Sequence, residues 1–204
     1  MRRNRCPRSS DPSSGWIAAA PPLAPPGWPW VIGAILEPMT ERPDDDEGAL
    51  TASGLEVRVR SARPGDVPRL VALLEGGALV AGREDPSDLG PYEAALEEIQ
   101  ASPGGDVLVV EHSGGVIGMC QLIVFRHFGQ RGTLCAELES VHVDASFRGQ
   151  GVGTVLLASA MARAAEAGCQ RVQLTSNKAR TDAHRFYVTH GFAQIHEGFK
   201  RPLG

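Results

Sequence analysis

Lysine is nearly absent: of 20 basic residues, 18 are arginine and only Lys178 and Lys200 are lysine. No lysine stands in the chain's glycine-rich turn, which rules out a P-loop, whose lysine must reach phosphates at a helix start. Closely paired cysteines are missing as well. Cys6, Cys120, Cys135 and Cys169 include no C-x-x-C pair, so neither a zinc site nor any other metal is expected. Cys120, Cys135 and Cys169 lie in or beside apolar strand and helix patterns, where a free thiol behaves as a small buried hydrophobe. Reduced thiols lead us to expect a cytoplasmic protein. There is no excess of positive charge: the formal net charge is -4 and the pI is near 5.9. That balance argues against a nucleic-acid surface and is compatible with a small cationic substrate. Long apolar runs are lacking. Trp30-Val31-Ile32-Gly33-Ala34-Ile35-Leu36 is too short to cross a bilayer. It also lies far from Arg2, Arg3, Arg5 and Arg8, with prolines between and no small-x-small site after it, so neither secretion nor membrane association is expected. No internal repeat is present.

The chain has 204 residues, 42% of them hydrophobic, enough for one packed domain and a tail. Residues 1–54 hold nine of the 15 prolines and all three tryptophans, with neither helical nor strand periodicity. With the acidic run Asp44-Asp45-Asp46-Glu47, they read as a disordered Pro-rich and acidic tail. From Leu55 the pattern becomes regular. Leu55–Arg60 alternates apolar and charged residues as a half-buried strand does. Arg63-Pro64-Gly65-Asp66 is a turn in which Asp66 is placed to cap a helix whose face is Val67, Leu70, Val71 and Leu74. A loop from Gly82 to Gly90 leads to a second amphipathic helix through Tyr92, Leu96 and Ile99. Strands follow at 106–111, 116–128 and 134–143, with Ser113-Gly114-Gly115 as a hairpin turn. A helix to about Ala167 carries a polar stripe of Ser159, Arg163, Glu166 and Gln170. Then come a strand at 171–174, a helix from Thr181 or Asp182 through His190, and one or two terminal strands over Phe192–Lys200. Hairpins in the middle and helical crossovers later predict a mixed α/β fold, a mainly antiparallel sheet with helices on both faces.

The chemistry centres on Arg148-Gly149-Gln150-Gly151-Val152-Gly153, which leaves a strand and enters a helix. Glycine lets the backbone approach a ligand closely. The first helical turn leaves N–H groups unpaired and favours negative charge, so the turn suits a phosphate or pyrophosphate. Its G-x-G-x-G spacing departs from the dinucleotide fingerprint G-x-G-x-x-G. It fits Arg/Gln-x-x-Gly-x-Gly/Ala, and one strand and one helix later stands Phe186-Tyr187 followed by Gly191-Phe192. The two motifs, in this order, resemble those of the GCN5-related N-acetyltransferase (GNAT) superfamily. Arg63-Pro64-Gly65-Asp66 is similar to that family's first turn. The similarity covers residues 55–204 and leaves out the tail.

What the resemblance implies is an acyl-CoA N-acyltransferase fold and an enzyme that moves the acetyl group of acetyl-CoA to a primary amine, by direct attack in a ternary complex. The pyrophosphate would meet backbone N–H groups of Arg148, Gly149, Gln150, Gly151, Val152, Gly153 and Thr154. The pantetheine would pair with backbone at Val141 and Val143, in a cleft where that strand splays from 172–174. An N–H near Val141 would face the thioester oxygen. Tyr187 matches the family's tyrosine, which lies beside the cofactor and is placed to protonate the leaving thiolate; an aromatic anchor is the other reading of that residue. Glu139 stands where many members carry a glutamate and is the expected general base, directly or through water. Glu137 is the nearby alternative, and an acid that only faces solvent or holds a cationic amine is the other reading. Without a bulge, Glu139, Val141 and Val143 share a strand face and His142 lies opposite, packed against a neighbour. One departure stands seven residues before the tyrosine, where many members have asparagine. Here it is Arg180, expected to reach a CoA phosphate or solvent, with Asn177 the nearest asparagine. His184 and His190 are expected as surface or cap groups. The acceptor is a small-molecule or peptide amine, shaped by 81–102 and 195–200, and a homodimer is compatible with this reading. The competing reading is a catalytically silent CoA-binding module with a sensing or protein-interaction role.

Overall fold

The computed structural model describes residues 50–203, within the compact unit Met39–Gly204. Strand β1 (Leu50–Ala52) turns through Ser53 and Gly54 into β2 (Leu55–Ser61). The alternation of β2 holds as far as Val59: Val57 and Val59 are buried while Glu56 and Arg58 face out, but Arg60, read as an outward charge, is buried too. After a short 3-10 turn come helices α1 (Val67–Gly76) and α2 (Gly90–Ala101). Strands β3 (Gly105–His112) and β4 (Gly115–Arg126) form the expected hairpin. The single turn α3 (Gly129–Gly132) leads into β5 (Leu134–Val143). Then follow α4 (Val152–Glu166), β6 (Arg171–Leu174) and α5 (Thr181–Thr189).

The sheet runs in sequence order from β1 to β6, antiparallel throughout except for the parallel pair β5 and β6. A parallel pair needs a crossover, and α4 supplies it. Helices α1 and α2 cover one face, where Val71, Leu73 and Leu96 meet Val109 and Met119. Helix α4 covers the other, where Leu156, Leu157 and Ala160 meet Leu108, Leu122 and Leu138. The mixed, mainly antiparallel sheet with helices on both faces is therefore as the sequence predicts.

Four expectations change. The regular fold starts at Leu50 rather than Leu55, because β1 pairs along β2 and buries Ala52 to 2% exposure. The rest of the expected tail, residues 1–49, lies outside the described residues. The terminal strands over 192–200 do not form among the described residues. Beyond α5 the chain passes Thr175, past the end of β6, as the close approach of Gly198 to that residue shows. Asp66 does not cap α1. Its carboxylate accepts from the backbone N–H of Arg63 at 2.7 Å and from the buried Arg60 guanidinium at 2.7 and 3.1 Å. The polar stripe of α4 is partly turned inward: Ser159 is buried, and Arg163 donates to Asp106 at 2.8 Å and to Ser61 at 3.1 Å.

Candidate active site

Alternation along β5 would set Val141 beside Glu139, but a bulge intervenes. His142 pairs with Met119 and Glu139 with Gln121, so Ser140 and Val141 together stand against Cys120 alone. Ser140 takes a φ of 52°, a left-handed conformation uncommon for a residue with a side chain. The extra residue reverses the faces beyond it. Val141 and Val143 pack into the α4-side core, while His142 joins Glu139 on the face of Met119, toward α1 and α2. The shared face expected for Glu139, Val141 and Val143, and the opposite face expected for His142, are both corrected by this one residue.

Pairing between β5 and β6 ends at Leu138 and Leu174, although β5 continues to Val143. This is the splay. Asp144 donates its N–H to the Ile117 carbonyl at 2.9 Å, which turns the N–H and C=O of Val143 to the opposite, open edge. Arg148 donates to the Val143 carbonyl at 3.1 Å. The next turn is fixed by Asp144, which accepts from the backbone N–H of Ser146 at 2.8 Å and pairs with Arg69. The Ser146 hydroxyl and Arg69 hold that carboxyl well below the usual carboxylate range.

The glycine loop then opens α4. Gly149 and Gly151 hold φ of 75° and 81°. Among the described residues, no hydrogen-bond acceptor meets the backbone N–H of Gly149, Gln150, Gly151, Val152, Gly153 or Thr154. Six free donors in succession at a helix start are suited to an anion with several oxygens. The side chain of Gln150 turns back to the Ser146 carbonyl at 2.8 Å, and Val152 is buried, so those two offer backbone alone.

Helix α5 locks onto this loop. A Cβ at Gly153 would lie 3.4 Å from the Phe186 ring. The Thr154 hydroxyl and His190 Nε2 are 3.0 Å apart, and His190 Nδ1 lies 2.7 Å from the Phe186 carbonyl. His190 is thus the C-terminal cap of α5, as expected, and also a half-buried tie between α5 and α4; among the described residues His184, in the first turn, makes no such tie. Tyr187 is half-buried, edge-on to Phe186 and Phe192, and its hydroxyl has no partner among the described residues. Burial, with Cys120 and Glu139 nearby, pushes its pKa up to about 12 against the opposing pull of Arg180. The other tyrosine, Tyr92, is tied into the α1–α2 loop through Glu84 at 3.0 Å and the N–H of Asp85 at 2.9 Å.

Among the acids, Glu137 accepts from Gln173 at 3.1 Å inside the paired part of β5 and β6. Glu139, half-buried, lies just past it on the splayed part. Arg180 is half-buried and not at solvent: it donates to the Gly77 carbonyl and so bridges α5 to the end of α1. Asn177 is spent on its own turn, accepting from the N–H of Ala179 at 2.9 Å. Tyr187, Glu139, Arg180 and His142 therefore converge at the splay from α5 and β5, with the glycine loop beside them.

The model of the acetyltransferase (GNAT) family matches residues 78–192. Over 91 residues, 45% of this chain and 58% of the relative, the sequence is 36% identical to an aminoalkylphosphonate N-acetyltransferase of Salmonella typhimurium. Over 169 residues, 81% of this chain, it is 28% identical to a mycothiol acetyltransferase of Sanguibacter keddieii, of which it covers 52%. The chain thus spans between half and three-fifths of the length of these two curated relatives. A solved structure described as a transcriptional regulator from Bacillus halodurans C-125 is 34% identical, with a TM-score of 0.69 over 72% of this chain and 99% of that one.

Proposed function

The chain belongs to the GNAT acetyltransferase family, and from that membership we propose that it is an N-acetyltransferase passing the acetyl group of acetyl-CoA directly to a primary amine. The observation that carries the reading is the run of six unpartnered N–H groups from Gly149 to Thr154, set beside the splayed edge of β5. A pyrophosphate fits the first, and an extended chain with amide groups fits the second. When bound, acetyl-CoA supplies an acetyl group already activated as a thioester.

The residues of this chain divide the remaining work. The backbone at 148–154 holds the anionic end, and Val143 presents its N–H to the amide-bearing arm while its C=O accepts from Arg148. The N–H near Val141 faces the carbonyl oxygen and stabilises the charge that develops there. Glu139 attracts the cationic amine. Tyr187 stays protonated at neutral pH and gives its proton to the departing sulfur. Cys120 takes no part as a nucleophile: its burial pushes the thiol up to about 12, which keeps it protonated and supports direct attack by the amine.

The free thiols Cys120, Cys135 and Cys169 fit a reducing compartment, so we assign the protein to the cytoplasm. Among the described residues, no helix is long and apolar enough to cross a membrane, and no His, Cys, Asp and Glu cluster could hold a metal. The acceptor is the open variable. The Salmonella relative is described as acting on aminoalkylphosphonates, so small amines bearing an anionic group lead the panel. A second reading, a silent CoA-binding module, draws on the Bacillus structure's description as a regulator.

Calorimetry with acetyl-CoA, followed by thiol release against an amine panel, tests the function. Acetyl-CoA binds the wild type, and an amine triggers release. Gly151→Val, which needs a β-branched residue at a φ of 81° with its Cβ 3.2 Å from Ser53, loses most of the binding while folded. Binding without release on any amine favours the module, and no binding defeats both readings.

A further inference from the structure

We propose that His142 is the general base of this reaction, taking the proton from the amine nitrogen as it attacks, while Glu139 holds the ammonium beforehand. The proposal rests on the acetyl-transfer reading above.

The Ser140 bulge is what brings His142 to the acceptor side of β5, on the face of Glu139. Its ring is half-buried, yet neither nitrogen has a hydrogen-bond partner among the described residues. Neither is among the buried polar atoms that lack a partner, so both are open to solvent, where a substrate nitrogen can meet them. Here the neighbour across the ring is Gly77, at the end of α1. A Cβ there would come within 2.1 Å of Nδ1 and 2.4 Å of Cε1, so only glycine leaves room for the imidazole. Arg180 ties its guanidinium to the carbonyl of that same glycine.

The charges around the ring suit a base. Burial first, then Arg180 and Arg148, lower the imidazole below its ordinary 6.5, with Arg83 adding to them and Glu84 opposing. The ring is therefore neutral at pH 7 and ready to accept a proton. These groups come from every side: Arg180 from the start of α5, Arg148 from the glycine loop, Arg83 and Glu84 from the α1–α2 loop. A free ammonium is too weak an acid to give its proton readily to such a base. The attacking nitrogen is a far stronger acid, because it gains positive charge as its bond to the carbonyl carbon forms.

The protons balance. The ammonium loses two in becoming an amide N–H. The first is lost to solvent before the neutral amine attacks; His142 takes the second from the nitrogen of the tetrahedral adduct and passes it to solvent. As the carbon–sulfur bond breaks, Tyr187 protonates the thiolate and is reprotonated from water. One proton is released per turnover.

The test uses His142→Gln, His142→Ala, Glu139→Gln and Arg180→Gln, each checked for folding. The pH profile of kcat/KM is recorded with an accepted amine, and the His142 ring proton is titrated by NMR in the free protein. His142→Gln should lose on the order of 10²–10⁴-fold in kcat and its acid limb. Added imidazole should restore part of the rate to His142→Ala. In the wild type His142 should titrate below 6.5, the ordinary imidazole value, and in Arg180→Gln its titration and the acid limb should both move up in pH. Three results overturn the proposal: full turnover with the acid limb intact in His142→Gln, an acid limb lost from Glu139→Gln instead, or a His142 titration at or above 6.5 that Arg180→Gln does not move. Each leaves acetyl transfer itself standing. A wild type that releases no thiol with any amine defeats the parent reading and this one together.

Discussion

Of the residues proposed to carry the chemistry, Tyr187 is the one whose surroundings define a role most closely. The Tyr187 hydroxyl has no partner among the described residues and a pKa raised to about 12, so it carries its proton at any working pH. Tyr187→Phe keeps the ring contacts with Phe186 and Phe192 and removes only the donor. Acid catalysis commonly contributes ~10²–10⁴-fold, but a thiolate from a thiol of pKa ~8.5 already leaves tolerably, so the loss should fall near the lower end. We expect kcat to drop at least about tenfold with acetyl-CoA affinity nearly unchanged. Steady-state kinetics beside calorimetry checks this, and full turnover would reduce Tyr187 to a packing residue.

At the scale of elements, the two motifs that the sequence separates by more than 30 residues meet in space. Phe186 of α5 rests on Gly153 of α4, and His190 ties to Thr154. At 153 a Cβ would just touch the ring at 3.4 Å, so a side chain larger than alanine crowds it. Gly153→Val should push α5 off the loop, displacing Tyr187 with it. The expected outcome is a fall in both melting temperature and kcat, larger than for Gly153→Ala, whose single methyl would only touch the ring. Equal effects from the two variants would mean that the contact does not position the tyrosine.

The same scale shows what a sequence can carry. Strands β5 and β6 start where predicted because turn glycines mark the approach to each, Gly132 before β5 and Gly168 before β6. The glycine loop was legible because its backbone conformation demands glycine. The bulge was not, because serine at 140 carries no mark of a left-handed φ, and alternation counted through it puts His142 on the wrong face. Strand β1 was hidden by its length of three residues, too short to show a period. The terminal strands expected over 192–200 are absent among the described residues because composition shows fitness for a pleat and not that an edge lies within reach. Ile195, Phe199 and Leu203 are 75%, 91% and 99% exposed as a result. The ties of Arg180 to Gly77 and of His190 to Thr154 join distant segments, and no local pattern records them.

For the folded unit described here, β2, β3 and the first turn are held by one buried cation. Arg60, 5% exposed, pairs with Asp66 at 2.7 Å and Glu111 at 2.8 Å. Burial alone would raise the Asp66 carboxyl, but the hydrogen bonds from Arg60 and the Arg63 backbone hold it below its ordinary 3.8. A depressed carboxyl contributes stability that is present above the unfolded value and lost as pH falls through the folded one. The melting temperature should therefore drop as the pH is taken below about 4. Asp66→Asn should melt lower at pH 7, by an amount short of the ~3–5 kcal/mol of a fully broken buried pair because Glu111 remains, and should show a flatter acid limb. An unchanged limb would assign the acid sensitivity to another carboxylate.

For the whole molecule, we propose that one cleft binds both substrates and passes the acetyl group between them without an acyl-enzyme. Initial rates of thiol release, measured over a matrix of acetyl-CoA and amine concentrations with the acetylated amine identified by mass, test that claim most directly. We predict amine-dependent release matched one for one by acetylated product, with lines that intersect in the double-reciprocal plot. Parallel lines would reveal a covalent intermediate. Saturable binding of acetyl-CoA with no release for any amine would contradict the enzyme itself.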